Sequence, residues 1–178
     1  PADALAYVYR RQQDENGFIP QNTYLDWQTR WGGEQMDNIS YPAVLAYLLA
    51  ERGVGFDEAD YGYRHVRRSA DYVARNGPAT AQERWEEEAG YSPSSIAAEI
   101  AGLVCAGALA AETGHEEDAL VWTALADDWA DRVEAWCATV TGGERRDAPV
   151  PYYLRVARDG DPDAGHRRTL ANAGPTLD

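Results

Sequence analysis

Residues 83–88 read Glu-Arg-Trp-Glu-Glu-Glu, four glutamates in six positions around one tryptophan. Runs of glutamate usually lie on solvated helix faces. This one is bordered by Gly90 and by the turn Tyr91-Ser92-Pro93, which opens a second reading. Each carboxylate disfavours ionisation of its neighbours, and an indole that shields one of them from water pushes its pKa up further. Glu86, beside Trp85 and flanked by Glu83, Glu87 and Glu88, is the candidate for a carboxyl group that keeps its proton near neutral pH. A protonated carboxyl in an aromatic, polar cleft suits protonation of a glycosidic oxygen. The plain alternative is an acidic surface with no special role.

A second stretch supplies matching parts. Trp31-Gly32-Gly33-Glu34-Gln35-Met36-Asp37 offers an indole platform, amide and carboxylate hydrogen-bonding groups, and glycines that permit close approach. A sugar ring asks for this combination: stacking for its apolar face and planar polar groups for its hydroxyls.

The remaining constellations read as structural. His65, His115 and His166 lie far apart and in no metal-ligand spacing, so surface or helix-capping roles are expected, with no metal and no cofactor. Asp57-Glu58-Ala59-Asp60 has no phosphate-binding loop to accompany it and reads as a helix cap. Asn38-Ile39-Ser40 fits the short pattern of a glycosylation acceptor. Cys105 and Cys137 fall on two helices joined near Gly114. In an antiparallel hairpin they would stand roughly 20 Å apart at 1.5 Å per residue. That is beyond the reach of a disulfide, so two free thiols are expected.

The elements that must position these groups are helical. Periodicity of 3.6 residues predicts helices over about 2–13, 42–52, 57–75, 93–113 and 116–139. Leu5, Val8 and Tyr9 mark the first, Pro42 opens the second, and Asp57 caps the third. Ser92 and Pro93 open the fourth. Trp122, Leu125, Trp129, Val133 and Trp136 form a core stripe on the fifth. Between the first two helices runs a long aperiodic stretch from Asp14 to about Ser40, too aromatic to be disordered. Strand-like character is confined to Tyr152–Val156. Loops alternate between short ones and long, aromatic, acidic ones, which suggests stacked helical hairpins with one decorated face.

Composition narrows the partners. With 30 acidic and 16 basic residues the net charge is −14, which argues against a nucleic-acid partner, since phosphate binding needs a positive surface. No uninterrupted apolar run reaches the ~18 residues of a membrane span, so no membrane partner is expected. Every basic residue is arginine, a habit of GC-rich genomes that points to a bacterial or archaeal source and leaves secreted and cytoplasmic locations both open. The chain opens on Pro1 inside a helical pattern and closes at Asp178 without a capping element. Residues 1–178 are therefore expected to be a single segment of a longer polypeptide.

Three stretches resemble glycoside hydrolase family 15, the glucoamylases and glucodextranases. "GFIPQNTYLDWQTRWGGEQMD" (17–37) resembles the loop of bacterial members that carries an active-site tryptophan. "RNGPATAQERWEEEAGYSPSSIAAEIAGLVCA" (75–106) resembles the acid-bearing loop and the helix after it. "PYYLRVARDGDPDAG" (151–165) is similar to the same bacterial branch. The resemblance implies an all-α fold, part of an (α/α)6 barrel, and an exo-acting, inverting release of glucose from the non-reducing ends of α-glucans. Glu86 would be the general acid, Glu87 would hydrogen-bond the sugar at the cleaved end, and Trp31 would stack near the acid. Gln35, Asp37, Glu83 and Trp85 would be further substrate-binding residues. Glu83 stands where many fungal members carry Asp. The family's catalytic base, a distant glutamate, is not in this chain, so the segment alone is expected to be inactive and to depend on the remainder of its own domain. The alternatives are a non-catalytic helical carbohydrate-binding or scaffold module, and another inverting helical-barrel glycosidase such as a trehalase.

Overall fold

The structure, a computed structural model, describes residues 1–55, 61–140 and 151–164. Five α-helices carry it: α1 (Ala2–Tyr7), α2 (Met36–Ala50), α3 (Tyr63–Asn76), α4 (Pro93–Glu112) and α5 (Glu116–Cys137). Four short strands accompany them: β1 (Asn22–Thr23), β2 (Thr29–Trp31), β3 (Ala138–Thr139) and β4 (Tyr152–Tyr153). Each pair, β1 with β2 and β3 with β4, is antiparallel. The fold class expected from periodicity holds, and Tyr152–Tyr153 is indeed a strand.

The first helix keeps its expected span, because a π-wound turn, Val8–Gln12, continues it past Tyr7, and its expected stripe is buried through Leu5 and Tyr9. Two other boundaries move. The second helix starts at Met36, so Pro42 lies inside it and not at its head. A mid-helix proline removes one N–H bond, but Met36 and Ile39 are wholly buried, and Thr80 Oγ1 accepts the Met36 N–H at 3.2 Å. Tertiary contacts thus extend the helix upstream of its proline. The Asn38-Ile39-Ser40 triplet lies in this helix: Ser40 is buried and bonds the Met36 carbonyl, and the Asn38 amide donates to the Ile19 carbonyl at 2.9 Å. The third helix starts at Tyr63, later than expected. Gly62 takes the capping position, and its N–H donates to His65 Nδ1 at 3.1 Å. The proposed cap Asp57, with the tetrapeptide around it, lies outside the described residues, as does His166. His115 occupies the N-cap position of α5.

α4 is the central helix. It packs along α5 on one side and α2 on the other, with α3 touching α2, α4 and α5. Small residues allow the close contacts: a methyl on Gly102 would come within 2.9 Å of Ser40 Cβ, and one on Gly107 within 2.7 Å of Thr123 Oγ1. By length and composition α4 could cross a membrane, but 56% of its most apolar stretch is buried inside this protein. At its head Ser92 holds the N-cap position, yet its hydroxyl pairs with Ser94 Oγ and not with a helix N–H. The tryptophan stripe of α5 is core: Trp122 and Trp129 are buried, while Leu125 and Trp136 pack on its edge. Both cysteines are free thiols.

The connections are asymmetric, as the sequence suggests. Residues 113–115 join α4 to α5 in a tight turn. The α1–α2 and α3–α4 connections are long, and they are hydrogen-bonded to one another at one end of the bundle.

Candidate active site

The glutamate cluster lies in the loop between α3 and α4, not on a helix. Thr80 and Gly90 close this loop with a reciprocal pair of backbone bonds, 3.0 and 2.9 Å. Gly90 sits at φ +141°, and a methyl there would approach the Ala157 carbonyl to 2.7 Å. Both facts require glycine. Inside the loop Glu83 is the organiser. It is 1% exposed. Its carboxylate accepts the Trp85 N–H at 2.8 Å and the Glu87 N–H at 3.3 Å. Its backbone N–H donates to the Glu88 carbonyl at 2.9 Å, and its carbonyl accepts from the Glu86 N–H at 2.7 Å. Glu83 was expected among the substrate-binding residues; here its buried carboxylate is taken up by backbone donors of its own loop.

This knot leaves Glu86 at φ +65°, a left-handed conformation that non-glycine residues seldom adopt and that clusters at functional sites. Glu86 is exposed, and Gln21 Nε2 donates to its Oε1. Trp85 is 52% exposed, with the Arg84 guanidinium 4.9 Å from its ring centroid. Among the described residues Trp85 does not bury Glu86 as their adjacency suggested: both side chains are exposed. Glu87 is also exposed and receives Arg155 Nη1 at 3.0 Å.

The tryptophan loop is docked against the acid loop. Trp31, at the end of β2, is 45% exposed, and its Nε1 donates to Gln82 Oε1 at 3.3 Å. The Gln82 N–H donates to the Glu34 carbonyl at 3.0 Å, and a methyl on Gly33 would overlap the Gln82 side chain. The two motifs, some fifty residues apart in sequence, are thus brought together. Their polar members differ in access. Gln35 is buried at the N-cap position of α2. Asp37 is partly buried in its first turn, where burial raises its pKa and the charge of Glu83 adds to that, against the opposing pull of the Asn38 N–H and Arg84.

Residues outside the two quoted motifs complete the site. Thr80 and Gln82 tie the loops, Gln21 holds Glu86, and Arg155 braces Glu83 and Glu87 from beyond β4. Nothing in their type or spacing marks them; they only fall within the stretches 17–37, 75–106 and 151–165. A surface hollow of about 420 Å³ lined by Glu15, Asn16, Arg68, Asp71, Tyr72 and Arg75 contains none of the expected site residues. Among the described residues no group of three or more His, Cys, Asp or Glu is arranged to hold a metal ion.

The model of the glycosyl hydrolases family 15 matches residues 8–165. The chain belongs to that family. This family-15 chain is 36% identical over 176 residues to a glucoamylase of Clostridium sp. (strain G0005), a match that covers 99% of the chain and 23% of that protein. Its structure is similar to that of a bacterial glucoamylase solved in complex with acarbose, with a TM-score of 0.76 and 36% identity over 90% of this chain and 22% of that one. The helices are thus part of the (α/α)6 barrel fold, and the family-15 chain spans less than a quarter of the length of each relative.

Proposed function

We propose that this chain forms one wall of the catalytic barrel of an exo-acting, inverting glycosidase of glucoamylase or glucodextranase type, with Glu86 as general acid. It works as a segment of a longer polypeptide whose remaining helices close the cleft, and the substrate is the non-reducing end of an α-glucan. The observation that carries this reading is the exposed Glu86 at φ +65° in a loop organised by Glu83 and braced by Arg155, with Gln21 donating to its carboxylate. Trp31 stands on the facing loop as the stacking surface, and Glu87 is placed to bond a sugar hydroxyl next to the bond that breaks.

An inverting mechanism needs a base about 6.5–9.5 Å from the acid, with water between them. That base belongs to the rest of the polypeptide. The acarbose complex of the bacterial relative supports an oligosaccharide as ligand. In the full-length polypeptide, Glu86→Gln should remove nearly all hydrolysis of maltotriose or isomaltotriose while binding of acarbose persists. Near wild-type turnover by Glu86→Gln would sink the acid assignment. Acarbose binding without hydrolysis by the wild-type polypeptide would mark a carbohydrate-binding relic, and a preference for trehalose would mark a trehalase. The 178-residue chain by itself should hydrolyse none of these sugars.

A further inference from the structure

Glu99 has no part in the chemistry above. It lies at the seventh position of α4, fully buried, and among the described residues neither carboxyl oxygen has a hydrogen-bond partner. It sits at a joint. A methyl on Gly77, the residue that opens the acid-bearing connection, would overlap Glu99 Oε2 and come within 2.5 Å of Trp129 Cη2 on α5 and 3.0 Å of the Val73 carbonyl on α3. The charges that bear on Glu99 come from Asp37 in the first turn of α2 and Glu34 in the tryptophan loop before it, and both are negative. Trp129 brings no charge from α5. Tyr72 of α3 donates its hydroxyl to Glu34 Oε1 at 2.5 Å.

A bare carboxylate without a donor, facing two like charges, does not persist in such a place; it takes up a proton or a cation. Among the described residues no set of carboxylates is arranged for a metal ion, which favours the proton. A neutral carboxyl offers one O–H donor, and its charged neighbours, Asp37 and Glu34, are both acceptors. Those neighbours lead to both walls of the site. Glu34 receives the Gln82 N–H through its carbonyl. Asp37 lies within the field of Glu83, which holds the acid loop.

We propose that Glu99 is a positioning residue of the acid site: a neutral carboxylic acid whose one O–H donates to a buried water, which in turn donates to Asp37 and Glu34 and thereby keeps the acid loop and the tryptophan loop in register. The role rests on the reading of Glu86 as the acid for its kinetic consequence, but the proton itself does not.

Two measurements on the full-length polypeptide test it. The first is kcat on maltotriose for Glu99→Gln and Glu99→Leu. Gln keeps a neutral donor of the same shape and should stay within about threefold of wild type. Leu fills the space without a donor and should lose at least about tenfold in kcat, on the order of 1.4 kcal/mol, with KM changed less. A residue needed only for packing predicts the opposite order, with Leu as good as Gln or better, and that result would overturn the proposal. The second is the carbon NMR spectrum of wild-type protein labelled at the glutamate carboxyl. A glutamate signal with the shift of a protonated acid should persist at pH 7 in wild type and be absent from Glu99→Gln. A spectrum with every glutamate ionised at pH 7 overturns the proposal even if neither variant folds. Activity surviving in Glu86→Gln beside a protonated Glu99 would remove the assignment of Glu86 as the acid and leave the buried acid standing.

Discussion

Arg155 Nη1 donates to Glu87 Oε2 at 3.0 Å across 68 residues of sequence. Nη2 of the same guanidinium stands 3.9 Å from the buried Glu83 Oε1. The segment after β4 is itself clamped to the far end of the acid loop, through the Tyr91 N–H to the Ala157 carbonyl at 2.8 Å and the Ala157 N–H to the Tyr91 carbonyl at 2.9 Å. One arginine therefore supplies the countercharge for the carboxylate that shapes the loop and touches the carboxylate proposed to meet the sugar.

Arg155→Met should destabilise the fold strongly. Removing one partner of a buried pair costs about 3–5 kcal/mol, because the other charge stays buried. Glu83 keeps two backbone N–H donors, which places the loss near the low end, about 3 kcal/mol. The exposed Glu87 arm adds at most about 1 kcal/mol. Urea unfolding of wild type and variant reads the difference; a loss under about 0.5 kcal/mol would mean that the backbone donors alone satisfy Glu83.

Glu86→Gly separates stability from function. The left-handed conformation at φ +65° is disfavoured by roughly 1–2 kcal/mol for a residue with a Cβ and is free of that penalty for glycine. The variant gives up the Gln21 bond at an exposed site, a smaller quantity. The net expectation is a gain on the order of 0.5–1 kcal/mol in unfolding free energy together with loss of hydrolysis. Glu86→Ala should lose the activity without the gain. If Gly and Ala prove equally stable, the backbone at Glu86 is not strained.

These two sites also show what a sequence can and cannot disclose. The cluster at 83–88 was legible because its punctuation, Asn76-Gly77-Pro78 before it and Ser92-Pro93 after it, put it on a loop whatever its charge. Trp31 was legible because an aromatic residue in a long polar loop asks for a reason. The division of labour among the glutamates was not. Glu83, Glu86, Glu87 and Glu88 are chemically equal in sequence, and only the fold of the loop buries the first and exposes the second. Adjacency in the chain likewise suggested that Trp85 shields Glu86, whereas the loop leaves both exposed. Pro42 misled for a related reason: local propensity favours a helix start there, and the burial of Met36 and Ile39 outweighs it. Glu99 was hidden in an apolar helical stripe, where one acidic letter carries no sign of which way it faces.

The last expectation concerns pH. Burial first, and then the charges of Asp37 and Glu34, raise the pKa of Glu99 well above the ordinary glutamate value; burial also raises that of Asp37. In the unfolded chain these groups titrate near about 4.3 and 3.9. The folded protein therefore holds protons that the unfolded chain has released. Stability falls with rising pH wherever the native state binds more protons, by at most about 1.4 kcal/mol per pH unit for each proton. The contribution of this pair is fully present below about pH 4 and is lost as pH rises through the raised folded values. A net charge of −14 adds a general decline in the same direction, so the wild-type slope alone does not single out Glu99. Glu99→Gln does, because glutamine carries no titrating proton. Urea unfolding from pH 5 to pH 8 should give a wild-type line that descends and a Glu99→Gln line that descends less, with the gap between them widening toward pH 8. Asp37→Asn, at a partly exposed site, should narrow the slope by less. Parallel lines for wild type and Glu99→Gln would mean that Glu99 is ionised in the fold throughout this range.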